Sequence, residues 1–288
     1  MKPTILVTGA GGQLGQSFAS LAAREPEWSW RLADRRQLDI TRAADCYEML
    51  AASGARYCFN TAAYTAVDKA ESEPDLARAV NADGPAALAE ACVRLGVHLI
   101  HFSTDYVYAG HYNRPLREDD ELAPAGVYAA TKLAGEQAVL ERMPQATILR
   151  TSWVYAQHGH NFFNTMLRLG KERDQLRIVF DQVGSPTLAD DLAAAALHLI
   201  RHNSDTSQLA GVFNYSHEGV CSWYDFAMAI FELAGIRCAL APIESKDYPT
   251  PARRPHYSVL NKEKIKSAFG LEIPHWREAL ATLFQERR

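Results

Sequence analysis

The segment TILVTGAGGQLGQSF, residues 4–18, constrains the fold of this chain more than any other part of its sequence. Its apolar start at 4–8 is typical of a buried strand, and the apolar residues after the turn recur at helical spacing. Gly9, Gly12 and Gly15 lie between the two elements, where glycine permits a tight turn, close approach of a pyrophosphate and close helix–strand packing. The N–H groups at a helix start attract anions. The segment therefore predicts a dinucleotide site, although its GxxGxxG spacing differs from the GxGxxG of many dehydrogenases.

Apolar runs and helix-like segments alternate through the first 150 residues. The expected strands lie at 4–8, 28–34, 56–63, 97–105 and 146–155, and the expected helices at 13–25, 42–53 and 72–96, with another around Tyr128. The segment 72–96 is expected to be one long or interrupted helix that stops at Gly96. Strand–helix alternation with near-continuous apolar strands favours a parallel sheet buried on both faces. We therefore expect an α/β fold with a doubly wound parallel sheet of the Rossmann type.

The pattern is less regular after residue 155. We expect a helix at 161–176, a strand running into a turn at 177–187, a helix at 188–202 and a polar loop at 202–211. Prolines beyond residue 235 indicate an irregular segment with short elements. The predicted organisation is an NAD(P)-binding domain at 1–151, with later elements around 176–232 added to it. A smaller C-terminal α/β substrate-binding lobe is expected from 152–175 and 233–288.

Composition and charge argue against several classes of function. A net charge of −4 over 288 residues offers no basic surface for nucleic acid or an anionic membrane. The five cysteines show no C-x-x-C spacing, which suggests reduced thiols rather than a disulfide framework or a zinc site. The N-terminus lacks the pattern of a signal peptide, and the apolar run at 192–200 is far too short to span a membrane. We expect a cytoplasmic protein without nucleic-acid or membrane partners.

The second predicted strand ends in the sequence LADRR. A carboxylate about 20 residues after the glycines can bind the ribose hydroxyls of NAD, whereas an arginine favours the 2′-phosphate of NADP. Asp34 is followed by Arg35 and Arg36, so the sequence offers both chemistries. These residues leave the choice between NAD and NADP open.

Polar side chains with catalytic potential follow the fourth predicted strand. Thr104, Asp105 and Tyr106 supply hydroxyls and a carboxylate at the sheet edge where doubly wound folds bind ligands. Tyr128 and Lys132 form the only Tyr-x-x-x-Lys spacing in the sequence, and a helix brings residues four apart to one face. The sequence therefore predicts a hydroxyl, a phenol and an ammonium group beside the dinucleotide site.

Thr104, Tyr128 and Lys132 together suit the reduction of a ketone. Hydride addition to a carbonyl leaves an oxyanion, which needs a proton donor and nearby positive charge. We expect Tyr128 to donate the proton, and Lys132 with a nicotinamide cation to lower its pKa from about 10. Thr104 is expected to donate a hydrogen bond to the same carbonyl oxygen and fix its position.

Seven motifs together resemble the extended short-chain dehydrogenases, and within that family the reductases of dTDP-4-keto sugars. They are the glycine turn, NTAAYTAVDKAE (60–71), STDYVY (103–108), YAATK (128–132), RTSWVYA (150–156), DQVGSPT (181–187) and YPTPARRP (248–255). The resemblance runs from residue 4 to about residue 262. It implies reduction of the 4-keto group of dTDP-4-dehydro-L-rhamnose to dTDP-L-rhamnose, the last step of dTDP-rhamnose synthesis, with NADPH or NADH. Thr104, Tyr128 and Lys132 would form the catalytic set.

The resemblance also implies which residues hold each ligand. Cofactor contacts are expected, in addition to Asp34, Arg35, Tyr128 and Lys132, from Gly9, Gly12, Gln13 and Leu14 at the pyrophosphate, Asp39 and Ile40 at the adenine, and Ala62, Ala63 and Tyr64 beside the cofactor. Substrate contacts are expected from Val67, Asp68, Lys69, Thr104, Asp105, Tyr106, Trp153 and Arg254. The fork of donors on Arg254 makes it a suitable partner for the diphosphate.

The sequence departs from related families at a few positions. Tyr106 follows Asp105 where 4,6-dehydratases of the superfamily carry a glutamate, which favours simple ketoreduction. Tyr108 stands where Phe is more usual, and because the ring is kept we expect little change. Some members bind Mg²⁺ at a dimer interface through glutamates, one of which is replaced here by Ser17. Mg²⁺ is therefore an option that the residues do not support, and we expect a monomer or a homodimer.

Two other functions stay open at this point. One is a non-catalytic nucleotide-binding regulatory subunit of the same fold, and the other is a reductase or epimerase of another nucleotide sugar. The intact Thr104, Tyr128 and Lys132 argue against the first. His158 and His160 are interpreted as loop residues rather than metal ligands, so no metal site is predicted. The cluster Trp223, Tyr224 and Phe226 is interpreted as core packing.

Overall fold

The strands and helices of the chain alternate through its first half, as the sequence predicts. The computed structural model describes residues 2–203 and 205–286. Residues 1, 204, 287 and 288, which the predicted domain ranges and polar loop include, lie outside the described residues. The strands are β1 (Thr4–Thr8), β2 (Ser29–Ala33), β3 (Ala55–Asn60), β4 (His98–Thr104), β5 (Thr147–Thr151), β6 (Val154–Tyr155), β7 (Gln175–Val179), β8 (Val183–Gly184), β9 (Thr187–Leu188), β10 (Gly211–Tyr215), β11 (Cys221–Ser222) and β12 (Ala239–Ile243).

The helices pack on both faces of the sheet and form much of the second half. They are α1 (Gln13–Ala22), α2 (Ala43–Ser53), α3 (Val67–Ala70), α4 (Pro74–Arg78), α5 (Gly84–Leu95), α6 (Val127–Arg142), α7 (Phe162–Glu172), α8 (Ala189–His202), α9 (Trp223–Ala234), α10 (Glu263–Phe269) and α11 (Trp276–Glu286). A π-helical turn at Ala79–Asp83 joins α4 to α5. Among the described residues, no helix is both long and apolar enough to cross a bilayer.

The central sheet has the order β10-β5-β4-β3-β1-β2, and all of its neighbouring strands pair in parallel. The chain runs from β1 to β2 on one side, and then places β3 on the other side of β1. This reversal between β1 and β3 is the switch point at which doubly wound sheets bind ligands, beyond the carboxyl ends of the strands. The predicted α/β doubly wound fold is confirmed.

Two apolar clusters cover the two faces of this sheet. Ile5 and Val7 of β1 belong to the cluster that contains α1 and α8, whereas Leu6 faces the cluster that contains α2 and α5. All seven residues of β4 are buried. Side chains that alternate between two buried faces give strands that are apolar throughout, which is why the sequence showed no polar alternation there.

A third apolar cluster lies in the second half of the chain. It joins α7, α9 and α11, with Phe163, Phe226 and Leu280 fully buried at its centre. Helix α9 packs in this cluster, whereas α10 packs against the first cluster through Ile265. The predicted ranges assign most of α9 to the NAD(P)-binding domain and α10 to the C-terminal lobe. The division into domain and lobe stays a prediction. The packing of α9 and α10 differs from the predicted ranges.

Some predicted elements have different ends in the structure. The predicted strand 146–155 is divided into β5 and β6, because Trp153 has φ +48 and turns the chain away from the sheet. The predicted helix 161–176 ends at Glu172, and β7 then pairs with β12 in the segment expected to be irregular. The predicted helix 72–96 is interrupted by the π-helical turn and ends at Gly96, which has φ +66.

Candidate functional site

A cleft of about 660 Å³ opens at the carboxyl ends of β1, β3, β4 and β5. It lies at the switch point of the sheet, where such folds bind nucleotides. Many residues that the sequence singled out meet along its walls. They are Gly12, Gln13, Leu14, Ala63, Val67, Thr104, Asp105, Tyr106, Tyr128, Lys132 and Trp153.

The glycine turn after β1 has little room for side chains. Gly9 has φ +66, and a Cβ there would lie 2.7 Å from the backbone of Ala62. The N–H of Gly12 donates to the carbonyl of Gly9 over 2.9 Å, and Gly12 is the N-cap of α1. A helix start that is capped by glycine presents N–H groups without a competing side chain, which suits a pyrophosphate. The turn fits a dinucleotide.

Asp34 lies just beyond β2, with its Cβ 3.8 Å from the position of a Cβ added at Gly11. Its carboxylate accepts from the guanidinium of Arg36 at 2.9 and 3.2 Å, and also from the backbone N–H of Arg36 and Gln37. The hydrogen bonds from Arg36 lower the pKa of Asp34. The carboxylate is therefore ionised beside the glycine turn, with an arginine on its outer side.

Arg35, Asp39 and Ile40 lie outside the lining of the cleft. Arg35 is exposed and lies 3.7 Å from the carboxylate of Asp39. Asp39 accepts from the hydroxyl of Thr41 over 2.7 Å, and this bond lowers its pKa. The side chain of Ile40 is buried in the second cluster. The adenine contacts expected of Asp39 and Ile40 stay predictions.

The segment after β3 is attached to helix α6 by Asn81. The side chain of Asn81 is fully buried, accepts from the N–H of Tyr64 over 2.8 Å and donates to the carbonyl of Tyr64 over 3.0 Å. It also donates to the hydroxyl of Thr131 over 3.3 Å. The sequence interpretation missed Asn81, although an asparagine between apolar residues of an interrupted helix is a detectable signal. The hydroxyl of Tyr64 donates to Glu73 over 2.7 Å.

Helix α6 brings Tyr128 and Lys132 to the cleft one turn apart, as their spacing predicts. Lys132 is 2% exposed, and its Nζ donates to the carbonyl of Phe102 over 2.7 Å. Burial lowers the pKa of Lys132 to about 8, while the nearby Glu136 carboxylate acts in the opposite direction. The ammonium group is therefore poised to lose its proton close to neutral pH.

The pKa of Tyr128 is raised in the folded chain, whereas the sequence led us to expect a lowered value. Burial raises it to about 12, a hydrogen bond with the Thr104 side chain lowers it, and the charge of Asp105 raises it. Lys132 was expected to lower this pKa, but in the chain alone the loss of hydration outweighs every stabilisation of the phenolate. Tyr128 is thus a protonated phenol throughout the neutral range.

Asp105 is a buried carboxylic acid on the wall of the cleft. It is 3% exposed, and its Oδ1 accepts from the hydroxyl of Thr104 over 3.0 Å. Burial raises its pKa to about 6, against a hydrogen bond with Ser258. Within the described part of the chain, its Oδ2 has no hydrogen-bond partner. That oxygen is itself buried, which favours the protonated form of the carboxyl.

Residues of α3 and of the C-terminal segment meet at the edge of the cleft. Arg254 donates to both oxygens of Asp68, at 3.0 and 2.7 Å, and Asp68 also accepts from the N–H of Ala252 over 3.2 Å. Lys69 forms an ion pair with Glu73 at 2.7 Å. Asp68, Lys69 and Arg254 lie outside the lining itself, whereas Val67 and Tyr106 line it. The Tyr106 and Tyr128 rings meet edge to face, with centroids 5.7 Å apart.

Trp153 has a constrained conformation on the other wall. Its φ of +48 is unusual for a residue with a side chain, and its ring stacks on Trp223 with centroids 3.6 Å apart. Gly184 also lies against the ring, since a Cβ there would be 2.7 Å from it. The interpretation of the Trp223 cluster as core packing is confirmed, since Phe226 belongs to the third apolar cluster and Trp223 and Tyr224 pack against it. Trp223 and Phe226 line the cleft as well.

The loop that contains His158 and His160 covers the glycine turn. Asn161 donates from its side chain to Gln13 over 2.7 Å, and Gly159 has φ +76 and lies close to the same glutamine. His160 lines the cleft. Among residues 2–203 and 205–286, no group of three or more His, Cys, Asp or Glu side chains is arranged to hold a metal ion.

A buried polar network lies behind Lys132. Glu136 on α6 accepts three hydrogen bonds from Arg150 of β5, at 2.7, 3.1 and 3.1 Å, and another from Ser103. Arg150 also donates to the hydroxyl of Tyr108 over 3.0 Å, and that hydroxyl donates to Asn214 over 2.7 Å. Little change was expected at Tyr108 because the ring is kept, but its hydroxyl, which Phe lacks, connects two buried groups.

The sequence resembles one family over its whole length. The family model described as "RmlD substrate binding domain" matches residues 1–288. A dTDP-4-dehydrorhamnose reductase of Sinorhizobium fredii is 41% identical over 285 residues, which cover 97% of this chain and 96% of that protein. A dTDP-4-dehydrorhamnose reductase of Escherichia coli is 46% identical over 233 residues, which cover 79% and 78%.

A solved structure agrees with this resemblance. The dTDP-4-dehydrorhamnose reductase of Bacillus anthracis, in complex with NADP, superimposes with a TM-score of 0.94 at 37% identity. The superposition covers 99% of this chain and all of that one.

Proposed function

This chain belongs to the dTDP-4-dehydrorhamnose reductase family, and from that premise we propose that it reduces the 4-keto group of dTDP-4-dehydro-L-rhamnose to dTDP-L-rhamnose. This reaction is the last step of dTDP-rhamnose synthesis. The observation that carries the proposal is a single cleft in which Thr104, Tyr128 and Lys132 stand beside a glycine turn that fits a dinucleotide. A binding-only relative has no chemical need for this proton donor.

The proposed cofactor is NADPH or NADH, which supplies the hydride when bound. Gly9, Gly12, Gln13 and Leu14 would hold its pyrophosphate through the backbone N–H groups at the start of α1. Asp34 and Arg35 would face the adenosine ribose, and Asp39 and Ile40 the adenine. Ala62, Ala63 and Tyr64 would border the cofactor on the side of β3. The Bacillus anthracis relative was solved with NADP, which supports this assignment.

Tyr128 would donate its phenol proton to the carbonyl oxygen at C4 of the sugar. The hydride adds to C4 and the proton adds to the oxygen, so the ketone becomes a secondary alcohol. The pKa of about 12 supports this role, because Tyr128 carries its proton throughout the neutral range. Thr104 would fix the carbonyl oxygen by a hydrogen bond, and Lys132 would stabilise the phenolate that remains.

The other cleft residues would bind the dTDP-sugar. Asp105 would border the sugar on the wall of the cleft, while Tyr106, Val67 and Trp153 would form apolar walls. Arg254, held in place by Asp68, would direct its donors to the diphosphate, and Lys69 would add positive charge nearby.

We propose that the reaction takes place in the cytoplasm, by a monomer or a homodimer, without nucleic-acid or membrane partners. The thiols of Cys46, Cys58, Cys92, Cys221 and Cys238 are all free, which suits a reducing compartment.

The test is oxidation of NADPH or NADH in the presence of dTDP-4-dehydro-L-rhamnose, followed by absorbance of the reduced nicotinamide. We expect turnover with formation of dTDP-L-rhamnose. Tyr128→Phe is expected to keep cofactor binding and to lose about two to four orders of magnitude in kcat, as for loss of a general acid.

Each alternative has its own outcome in this experiment. Cofactor binding without turnover on any nucleotide sugar would indicate a regulatory subunit. Turnover that UDP or GDP inhibits better than dTDP would indicate another nucleotide sugar. Near-normal turnover by Tyr128→Phe would contradict the assigned proton donor.

A further inference from the structure

The start of helix α6 is held by a residue from a distant part of the chain. Its N-cap is Gly126, which has no side chain to accept a hydrogen bond from the first turn. The first N–H of the helix, on Val127, instead donates to Oε1 of Glu71 over 2.8 Å. The two residues are 56 positions apart in sequence. Because Tyr128 is the next residue of the helix, this bond lies directly before the proposed proton donor.

The backbone at Gly126 is shaped to admit this carboxylate. Gly126 has φ +89, and a Cβ there would lie 2.6 Å from Oε1 of Glu71. Any larger residue would therefore both strain the backbone and displace the carboxylate. A negative charge at this place also interacts favourably with the positive end of the helix dipole. Glycine and glutamate together thus form a cap that a local Ser or Asp provides in most helices.

Glu71 also belongs to a segment that borders the cleft. It is the C-cap residue of α3, in which Val67 lines the cleft and Asp68 binds Arg254. The carboxylate therefore connects the side of the cleft proposed for the substrate with the first turn of α6. A displacement of α3 would be transmitted to Tyr128 through this bond.

Lys132 is held by different contacts. It lies one turn further along α6, is buried, and donates to the carbonyl of Phe102. Glu136 anchors the following turn through Arg150. Loss of the bond to Glu71 would therefore loosen the turn that contains Tyr128 and leave the turns of Lys132 and Glu136 in place.

We propose that Glu71 is a positioning residue of the reductase, which fixes Tyr128 by accepting the hydrogen bond from the N–H of Val127. The inference rests on the proposed function, and it adds a residue that acts through the backbone of α6 rather than on the substrate or the cofactor. It predicts that Glu71 governs the rate of proton donation more than the affinity for NADPH.

Three variants test the proposal. Glu71→Ala removes the acceptor, Glu71→Gln keeps an acceptor oxygen without the charge, and Glu141→Ala removes an exposed carboxylate from the far end of the same helix. We expect Glu71→Ala to lose about tenfold in kcat, since caps and small misplacements have effects of this order. Its KM for NADPH is expected to stay within about twofold, because Lys132 keeps its contacts. Glu71→Gln is expected to recover to within about threefold of the wild type.

Hydrogen exchange measured by mass spectrometry gives a readout that does not depend on turnover. In Glu71→Ala we expect faster exchange in peptides that cover 126–130 and unchanged exchange over 131–142, because only the first turn loses its cap. Glu141→Ala is expected to match the wild type in both segments and in kcat.

The proposal is overturned if Glu71→Ala turns over like the wild type, or if Glu71→Gln is as impaired as Glu71→Ala. Faster exchange along the whole of α6 would also overturn it, since Glu71 would then act as a general support of the fold. A wild-type protein without turnover contradicts the proposed function instead, and the exchange experiment still decides whether Glu71 caps the helix.

Discussion

Two arginine–carboxylate pairs of this protein have the same chemistry and different surroundings. Arg150 binds Glu136 with exposed side-chain fractions of 3% and 2%, and Arg254 binds Asp68 with 23% and 42%. In both pairs the guanidinium makes more than one hydrogen bond to its carboxylate. The first pair lies behind Lys132 in the core, and the second lies at the edge of the cleft.

The difference shows how burial decides what an ion pair can do. Around Arg150, nearly every donor and acceptor is used, because Ser103 and Tyr108 complete the network. Buried charges need such partners, since the interior offers no water to solvate them. Arg254 keeps part of its surface exposed beside a cleft. We therefore assign the buried pair to the support of α6, and propose that the exposed pair binds ligand.

Breaking the buried pair is expected to have the largest effect. Arg150→Met leaves Glu136 buried without its cation, and such losses cost about 3–5 kcal/mol in the free energy of unfolding. Urea denaturation measures this change. Arg168→Met is the control, because Arg168 pairs with Glu172 on the surface at 58% and 50% exposed, where loss of the pair should cost less than about 1 kcal/mol. Equal stability losses in the two variants would contradict the comparison.

Breaking the pair at the cleft should affect binding instead of folding. Arg254→Gln is expected to raise KM for the dTDP-sugar roughly tenfold to a hundredfold, since charge-assisted bonds to a diphosphate have this strength. KM for NADPH and the urea midpoint should change little. Arg277→Gln is the control, because Arg277 on α11 pairs with Glu232 on α9 and both side chains are exposed. A urea midpoint that falls while KM for the sugar stays constant would show that Arg254 supports the fold.

Local patterns of the sequence predicted β1 to β5 of the central sheet and part of the cleft, but not the edge strand β10. The continuous apolar run and the glycine turn identified β1, and helical spacing placed Tyr128 and Lys132 on one face of α6. The prediction failed where function depends on residues far apart in sequence. Tyr108 meets Asn214 across 106 positions, and Glu71 meets Val127 across 56.

The pKa of Tyr128 could not be predicted for a related reason. Its value depends on how much water the folded chain removes from the phenol, and that quantity is not encoded in the spacing of Tyr128 and Lys132. The place of Trp223 on the cleft wall could not be predicted either, because an aromatic residue at helical spacing has the same pattern in a core and beside a cleft.

The smallest expected effect is a pH dependence of kcat/KM. The buried Lys132 should set its midpoint, and Arg254 at the cleft edge should not affect it. Burial lowers the pKa of Lys132 to about 8, so its positive charge is present below that pH and is lost above it. We expect kcat/KM for NADPH, which reports the free enzyme, to be about half-maximal near pH 8 and to fall further above it. Arg254→Gln should show the same midpoint, since Arg254 lies at the cleft edge and does not contribute to the pKa of Lys132.

The titration of Lys132 does not itself destabilise the folded chain at alkaline pH, as the sign of its linkage shows. The unfolded chain holds the Lys132 proton up to its ordinary pKa of 10.5, whereas the folded chain releases it near 8. Between these values the unfolded state binds more protons, so the contribution of Lys132 to the free energy of unfolding rises with pH. Activity should therefore fall while this contribution to stability grows. A pH midpoint that shifts in Arg254→Gln would show that Arg254 and Lys132 are electrostatically coupled. That result would contradict the separate roles assigned to the buried pair and to the pair at the cleft edge.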